Sequence, residues 1–188
     1  SGPNGPDRVT QTGYDANGRV LTVTEGVGTG AVSVTQTNAY NPNGTLAYVV
    51  DANNNQTSYT YDGFDRLIRT NFPSSTKGVN ASNSGDYVEV QSYDANGHVL
   101  QSRLRDGNII GFAYDNLGRL VSRTPQTNQI SPYDYQVVYD YNLLGQPAHI
   151  TRSGDGVVLT YGYDNLGRLN SEGQPFGTVG YQYDSAGN

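Results

Sequence analysis

Apolar and aromatic residues in this chain come singly or at every second position, separated by Thr, Ser, Asn and Gly. Nowhere do they hold a three-to-four-residue period across three helical turns, so no helix is predicted. Alternation at period two instead predicts strands of about 5 to 7 residues. Residues 10–15 and 19–24 read as a first pair, with the glycine-rich stretch 25–30 leading into a second rising strand over 31–40. Tyrosines fall two apart in Tyr59/Tyr61, Tyr139/Tyr141, Tyr161/Tyr163 and Tyr181/Tyr183, which sets both rings of a pair on one side of a strand. The expected fold is all-β, a repetitive antiparallel β-hairpin array with a ladder of tyrosines along it.

One heptad punctuates the strands. Tyr114-Asp115-Asn116-Leu117-Gly118-Arg119-Leu120 returns as Tyr163-Asp164-Asn165-Leu166-Gly167-Arg168-Leu169. Looser copies begin at Tyr14, Tyr40, Tyr61, Tyr93, Tyr141 and Tyr183, giving about eight in all, roughly 20 to 32 residues apart. Asp at the first turn position and Gly at the fourth suit a type I turn closed by a left-handed residue. The Asp side chain accepts a hydrogen bond from the N–H two residues on, and Gly takes a positive φ without the cost of a Cβ. The two middle positions are left free, and Ala-Asn, Pro-Asn, Gly-Phe, Asn-Leu, Leu-Leu and Ser-Ala all occur there.

With a three-residue loop over 116–118, Asp115 faces Arg119 and Tyr114 faces Leu120. The charged pair then shares one face of the sheet and the Tyr–Leu pair the other. The same roles fall to Tyr14, Asp15, Gly18 and Arg19; to Tyr61, Asp62 and Arg66; to Tyr93, Asp94 and Gly97; and to Tyr163, Asp164, Gly167 and Arg168. Some copies depart from the pattern. The second has Asn41 and Thr45 for Asp and Arg, and the third has Asp65 at the glycine position, which Asp tolerates better than most residues. The fourth has His98 in the arginine slot, and the sixth ends in Gln146-Pro147, with Pro147 expected at an edge or an irregularity.

A Tyr-Asp-x-x-Gly-Arg-Leu repeat at this spacing resembles the YD repeats of the Rhs family, which includes Rhs polymorphic toxins, Tc toxin shell components and the teneurins. The resemblance runs from about Tyr14 to Asn188. It implies a sheet forming a curved or spiralling part of a β-shell, a secreted or cell-surface bacterial location, and other YD repeats of the same or neighbouring chains as partners. It also implies an encapsulated C-terminal toxin as cargo. The chain has no Asp-Pro dipeptide of the kind found in the family's closing segment, so self-cleavage and toxin activity are not carried over. The expected organisation is a flexible leader or expression scar over 1–9, then a single array over 10–188 that stops as an eighth repeat opens.

Composition narrows the choices. Hydrophobic residues make up 35% of the 188, against 24 Gly and 16 Tyr, which is too little apolar matter for a thick core and suits a thin sheet. A net charge of −6 opposes binding to nucleic acid or anionic membrane, and no stretch approaches the about 20 apolar residues of a membrane span. Cysteine is absent, which removes disulfides and thiolate metal sites.

Candidate chemistry is sparse. His98 and His149 lie in different repeats, and neither a Gly-x-Ser-x-Gly elbow nor a His-Glu-x-x-His motif is present. Asp51, Asn53 and Asn55 have the oxygen spacing of a calcium-loop start but lack the Gly and Glu that complete one, so a turn is expected. Gly26, Gly28 and Gly30 precede no helix, so they read as a strand connection and not as a phosphate cradle. No catalytic residue, cofactor site or metal site is assigned. Asp106-Gly107-Asn108 and Gly154-Asp155-Gly156 read as turns at the opposite hairpin ends. Residues 71–86 and 125–132 read as insertions, the first the best placed for a partner contact, and a Tyr133/Tyr135 strand is expected after the second. The alternative to a shell segment is a self-assembling unit or a carbohydrate-binding one, its tyrosine face stacking on a glycan.

Overall fold

The computed structural model describes residues 9–78, 81–126 and 135–188, with backbone alone at 83 and 84. Most of the expected leader, most of the second insertion and Tyr133 lie outside the described residues. The chain divides into two compact units, Ser1–Val90 and Gln91–Asn188. Every regular element among the described residues is a strand.

The first unit holds β1 (Thr10–Tyr14), β2 (Val20–Glu25), β3 (Ser33–Tyr40), β4 (Leu46–Asp51), β5 (Gln56–Tyr61) and β6 (Leu67–Pro73), with most of β7 (Ser82–Tyr93). Each strand pairs antiparallel with the next in sequence. The second unit repeats the plan through β8 (Val99–Arg103), β9 (Ile109–Tyr114), β10 (Leu120–Pro125), β11 (Val137–Tyr141), β12 (Pro147–Arg152), β13 (Val157–Tyr163), β14 (Leu169–Gln174) and β15 (Gly177–Gly180). Val, Thr and Tyr fill these strands because branched and aromatic side chains fit a pleated, half-buried surface.

The core is thin, as the composition requires. Val50, Ala81 and Ile110 are the buried hydrophobic residues among those described, joined by the polar Asn38 and Gln56. Asn38 is satisfied by donating to the Val20 carbonyl at 2.9 Å and accepting from Gln36. Most other strand residues are half-buried, because each unit is a sheet whose faces cover one another little.

Three details differ from the sequence reading. Residues 71–86 are not one loop: β6 runs to Pro73 and β7 resumes at Ser82, leaving 74–78 and Ala81 between them among the described residues. This loop is pinned, since Ser74 N–H donates to Ala81 O at 2.9 Å, Gly78 N–H donates to Asn54 O at 2.9 Å, and Lys77 reaches the Asn55 side chain. Tyr135 precedes β11 without joining a strand, and its ring lies beneath the Arg152 guanidinium.

The third difference is a register shift at every heptad whose pairing is given. Tyr114 pairs with Leu120 as expected, but Ala113 pairs with Ser122, so Val121 is an extra residue on the returning strand. Similar shifts fall at Gly13/Tyr14, Ala39/Tyr40, Thr60/Tyr61, Asp140/Tyr141 and Gly162/Tyr163. A bulge of this kind moves the side chains beyond it to the other face, so faces assigned by simple alternation hold only as far as Leu120. Pro147 sits opposite Tyr141 at one of these bulges, where a strand tolerates the missing N–H.

Candidate functional site

The heptads form the tips of alternate hairpins, and their backbone follows the local chemistry closely. Gly118 N–H donates to Asp115 O at 2.9 Å, and Asp115 N–H to Arg119 O at 2.9 Å, closing a three-residue loop. Gly118 has φ +76°. The third copy keeps the geometry without glycine, with Asp65 at φ 60°. The Asp115 carboxylate accepts from the N–H groups of Leu117 and Arg119 at 2.9 Å each, and from Arg119 Nε at 2.7 Å. Asp15, Asp62 and Asp164 repeat this set with Arg19, Arg66 and Arg168. Asp94 accepts from the Asn96 and His98 N–H groups, with His98 Nδ1 at 2.8 Å.

These carboxylates are held below their ordinary range. The largest cause at Asp15, Asp115 and Asp164 is the backbone N–H of the following arginine, and at Asp94 it is the His98 side chain. At Asp62 desolvation opposes ionisation, and Arg66 outweighs it. Each such group binds a proton less readily folded than unfolded. Its contribution to stability is therefore present above the ordinary carboxylate value and is lost as pH falls through the lowered one. Stability should accordingly hold above about pH 5 and decline below about pH 4. Asp115→Asn, which keeps an oxygen acceptor as Asn41 and Asn142 do, should flatten part of that decline in denaturation curves taken across pH 2–7. An unchanged acid limb would refute the assignment.

What the sequence reading missed is the join between one tip and the next. The Arg19 guanidinium lies 4.5 Å from the centre of the Tyr40 ring, in the following repeat, and the Tyr40 hydroxyl donates to Val20 O at 2.9 Å. Arg119 lies 4.5 Å from Tyr141, whose hydroxyl donates to Leu120 O at 2.8 Å. Arg168 and Tyr183 repeat both contacts, at 4.5 Å and to Leu169 O at 2.8 Å. His98 performs the same function with a ring: its imidazole stacks on Tyr114 at 4.7 Å and 23°, and Tyr114 donates to Val99 O at 3.1 Å. Each latch thus runs from the arginine or histidine of one heptad to the tyrosine of the next. The signal lay in the shared period of Tyr and Arg, which links them across repeats as well as within one.

Two departures from the motif replace the arginine with an uncharged residue. Thr45 bonds Asn41 and Asn43 inside its own turn, and Gln146 bonds Asn142 while donating to Gly167 O in the next tip at 2.7 Å. Tyr61 and Tyr163 still donate to Leu46 O and Pro147 O at 2.9 Å each. Burial raises the hydroxyl pKa of Tyr61, Tyr114 and Tyr163. Tyr14, ahead of the first tip, is 60% exposed, and Tyr93 ends β7 ahead of the fourth, where Gly97 has φ 89°.

The candidates for other chemistry are not gathered together. His98 is occupied by Asp94 and Tyr114, while His149 is an exposed mid-strand residue between Asp140 and Thr160. The Asp51 carboxylate accepts three donors of its own turn, from Asn53 and Asn55, which is the tip geometry again with Asn54 at φ 59°. Among the described residues no three His, Asp or Glu side chains form a metal cluster, and no helix is long and apolar enough to cross a membrane.

Fold and tip geometry together define a class, an antiparallel hairpin array whose repeats are latched through Tyr-Asp-x-x-Gly-Arg turns. The Teneurin YD-shell model matches residues 6–138 and the RHS Repeat model residues 141–179. The chain belongs to the YD-shell family. Similar solved structures include TcdB2-TccC3 without its hypervariable C-terminal region (TM-score 0.74, 17% identity) and TcdB2-TccC3-Cdc42 (0.71, 17%). A third is the Photorhabdus luminescens Tc holotoxin pore (0.72, 18%). Each covers 96% of this chain, which spans 10% of each of theirs. At these identities the likeness is one of fold. No curated protein matches.

Proposed function

We propose that this chain is a non-catalytic wall segment of an exported or surface YD-repeat protein, bacterial in origin, whose wall encloses or presents a cargo domain such as a C-terminal toxin. The observation that carries the reading is the latch from tip to tip. The Asp carboxylates and the Arg or His side chains of the heptads are engaged in turn and latch contacts, so the side chains that stand out in the sequence serve to build sheet. In this reading Tyr14, Asp15, Gly18, Arg19 and their counterparts are structural residues throughout. Glycan stacking on the tyrosine row is the weaker account, because the Tyr40, Tyr141 and Tyr183 rings already carry a guanidinium on one face.

The test is capture of the native protein from its source with an antibody to this chain, followed by intact-mass measurement and limited proteolysis. A species far above 20.3 kDa is expected. It should hold a second polypeptide that resists protease until the sheet is denatured. A species of 20.3 kDa with nothing protected would overturn the reading.

A further inference from the structure

Three tips carry Asn-Gly at their third and fourth turn positions: Asn17-Gly18, Asn43-Gly44 and Asn96-Gly97. The other tips have Phe64-Asp65, Leu117-Gly118, Leu144-Gly145, Leu166-Gly167 and Ala186-Gly187 there. Asn-Gly is open to attack by its own backbone, because glycine leaves the amide nitrogen unshielded by a Cβ and free to turn toward the neighbouring side chain. The Gly nitrogen bonds to the Asn Cγ and gives up its proton, the Cγ–Nδ2 bond breaks, and ammonia leaves. Solvent water then opens the cyclic imide at either carbonyl, giving aspartate or isoaspartate. All three asparagines are exposed at hairpin ends, where water reaches them.

The tips differ in what holds the amide. In each, the Gly N–H donates to the carbonyl three residues back, Gly18 to Asp15 O at 3.0 Å, Gly44 to Asn41 O at 2.9 Å and Gly97 to Asp94 O at 3.2 Å. Attack therefore begins by opening one backbone bond common to all three. The side chains are not alike. Asn43 Nδ2 donates to Asp65 Oδ1 in the following tip at 2.5 Å, and Asn43 Oδ1 accepts from Thr45 N at 3.3 Å and Thr45 Oγ1 at 2.9 Å. Swinging this Cγ onto the Gly44 nitrogen breaks those bonds, and the Asp65 carboxylate adds electron density to the amide under attack. The backbone N–H groups of Asn17 and Asn96 are tied to Asp15 and Asp94, but their side-chain amides have no hydrogen-bond partner among the described residues. We infer that Asn17 and Asn96 are sites of spontaneous deamidation in the folded protein, and that the contact with the neighbouring tip protects Asn43 from the same reaction. Isoaspartate adds a main-chain atom to a three-residue loop, so each such conversion loosens the latch its tip carries, Arg19 to Tyr40 or His98 to Tyr114.

Peptide mapping by mass spectrometry, with aspartate and isoaspartate resolved, reads all three sites in one time course of the folded protein at mildly alkaline pH. Asn17 and Asn96 should convert at least about tenfold faster than Asn43, which has the extra bonds to break. In denaturant the three should convert at similar rates, because only the shared dipeptide remains. Asp65→Gly places at that position the glycine of the other tips, allows the same positive φ and removes the carboxylate. It should speed conversion at Asn43 and leave Asn17 and Asn96 unchanged. Absence of conversion at Asn17 and Asn96, an Asn43 as fast as they are when folded or still slower than they are in denaturant, or an Asn43 unmoved by Asp65→Gly would overturn the proposal.

Discussion

Replacing Gly118 by valine is expected to lower the unfolding free energy by about 2–3 kcal/mol, and replacing Asn116 by alanine to change it by less than about 0.5 kcal/mol. Two separate costs meet at Gly118. Its φ of +76° is a conformation in which a β-branched side chain crowds its own backbone. An added Cβ would also stand 3.0 Å from His98 Nε2, the ring that latches this tip to the previous one. Gly18 separates the two effects, since it shares the dihedral at +77° but has no neighbour within 4 Å of the Cβ position. Gly118→Ala should therefore cost more than Gly18→Ala in urea unfolding, and the excess should vanish when His98 is alanine. Equal costs at Gly118 and Asn116 would sink the hairpin-tip account.

The next largest effect belongs to the latch. Tyr141→Ala should cost roughly 2 kcal/mol, less than a fully buried aromatic because the ring is only half-buried. Tyr141→Phe, which removes only the hydroxyl that bonds Leu120 O, should cost about 1 kcal/mol. Arg119→Ala and Tyr141→Ala should be coupled by about 0.5–1 kcal/mol in a double-mutant cycle, the worth of a guanidinium over an aromatic face. Arg119→Ala paired with Tyr163→Ala, whose hydroxyl bonds Pro147 O of a different join, provides the control and should be additive. Coupling as large in the control would show that the effect is general loosening of the sheet and not the latch.

How much of this was legible follows from how local the causes are. The turn at 115–118 could be read from four consecutive residues because Asp, Gly and the loop length determine it between them. Asp65 could be read for the same reason, since the side chains that tolerate a positive φ are few. The bulge at Val121 could not be read, because it belongs to a pairing of two strands and leaves no mark on either alone. The latch was missed for another reason: it joins Arg119 to Tyr141 of the following repeat, and a reading confined to one heptad pairs each side chain only within its own turn. The loop over 74–81 shows a different limit. Its Ser, Asn and Gly content resembled that of an open insertion, yet Ser74, Thr76 and Gly78 bond within the stretch or to the β4–β5 turn.

The latches also bear on how such a chain can change in length. The heptads at Tyr14 and Tyr40, at Tyr114 and Tyr141, and at Tyr163 and Tyr183 lie about 20 to 27 residues apart, yet their ring-to-cation and hydroxyl-to-carbonyl contacts recur with almost the same distances. The variation is absorbed at the far ends of the hairpins, in stretches such as 26–32 and 74–81. One border of the sheet is thus a gauge and the other a margin. A duplication or loss of one whole hairpin, cut anywhere in that margin, would bring a cation and a ring back together and leave the remaining repeats as they were.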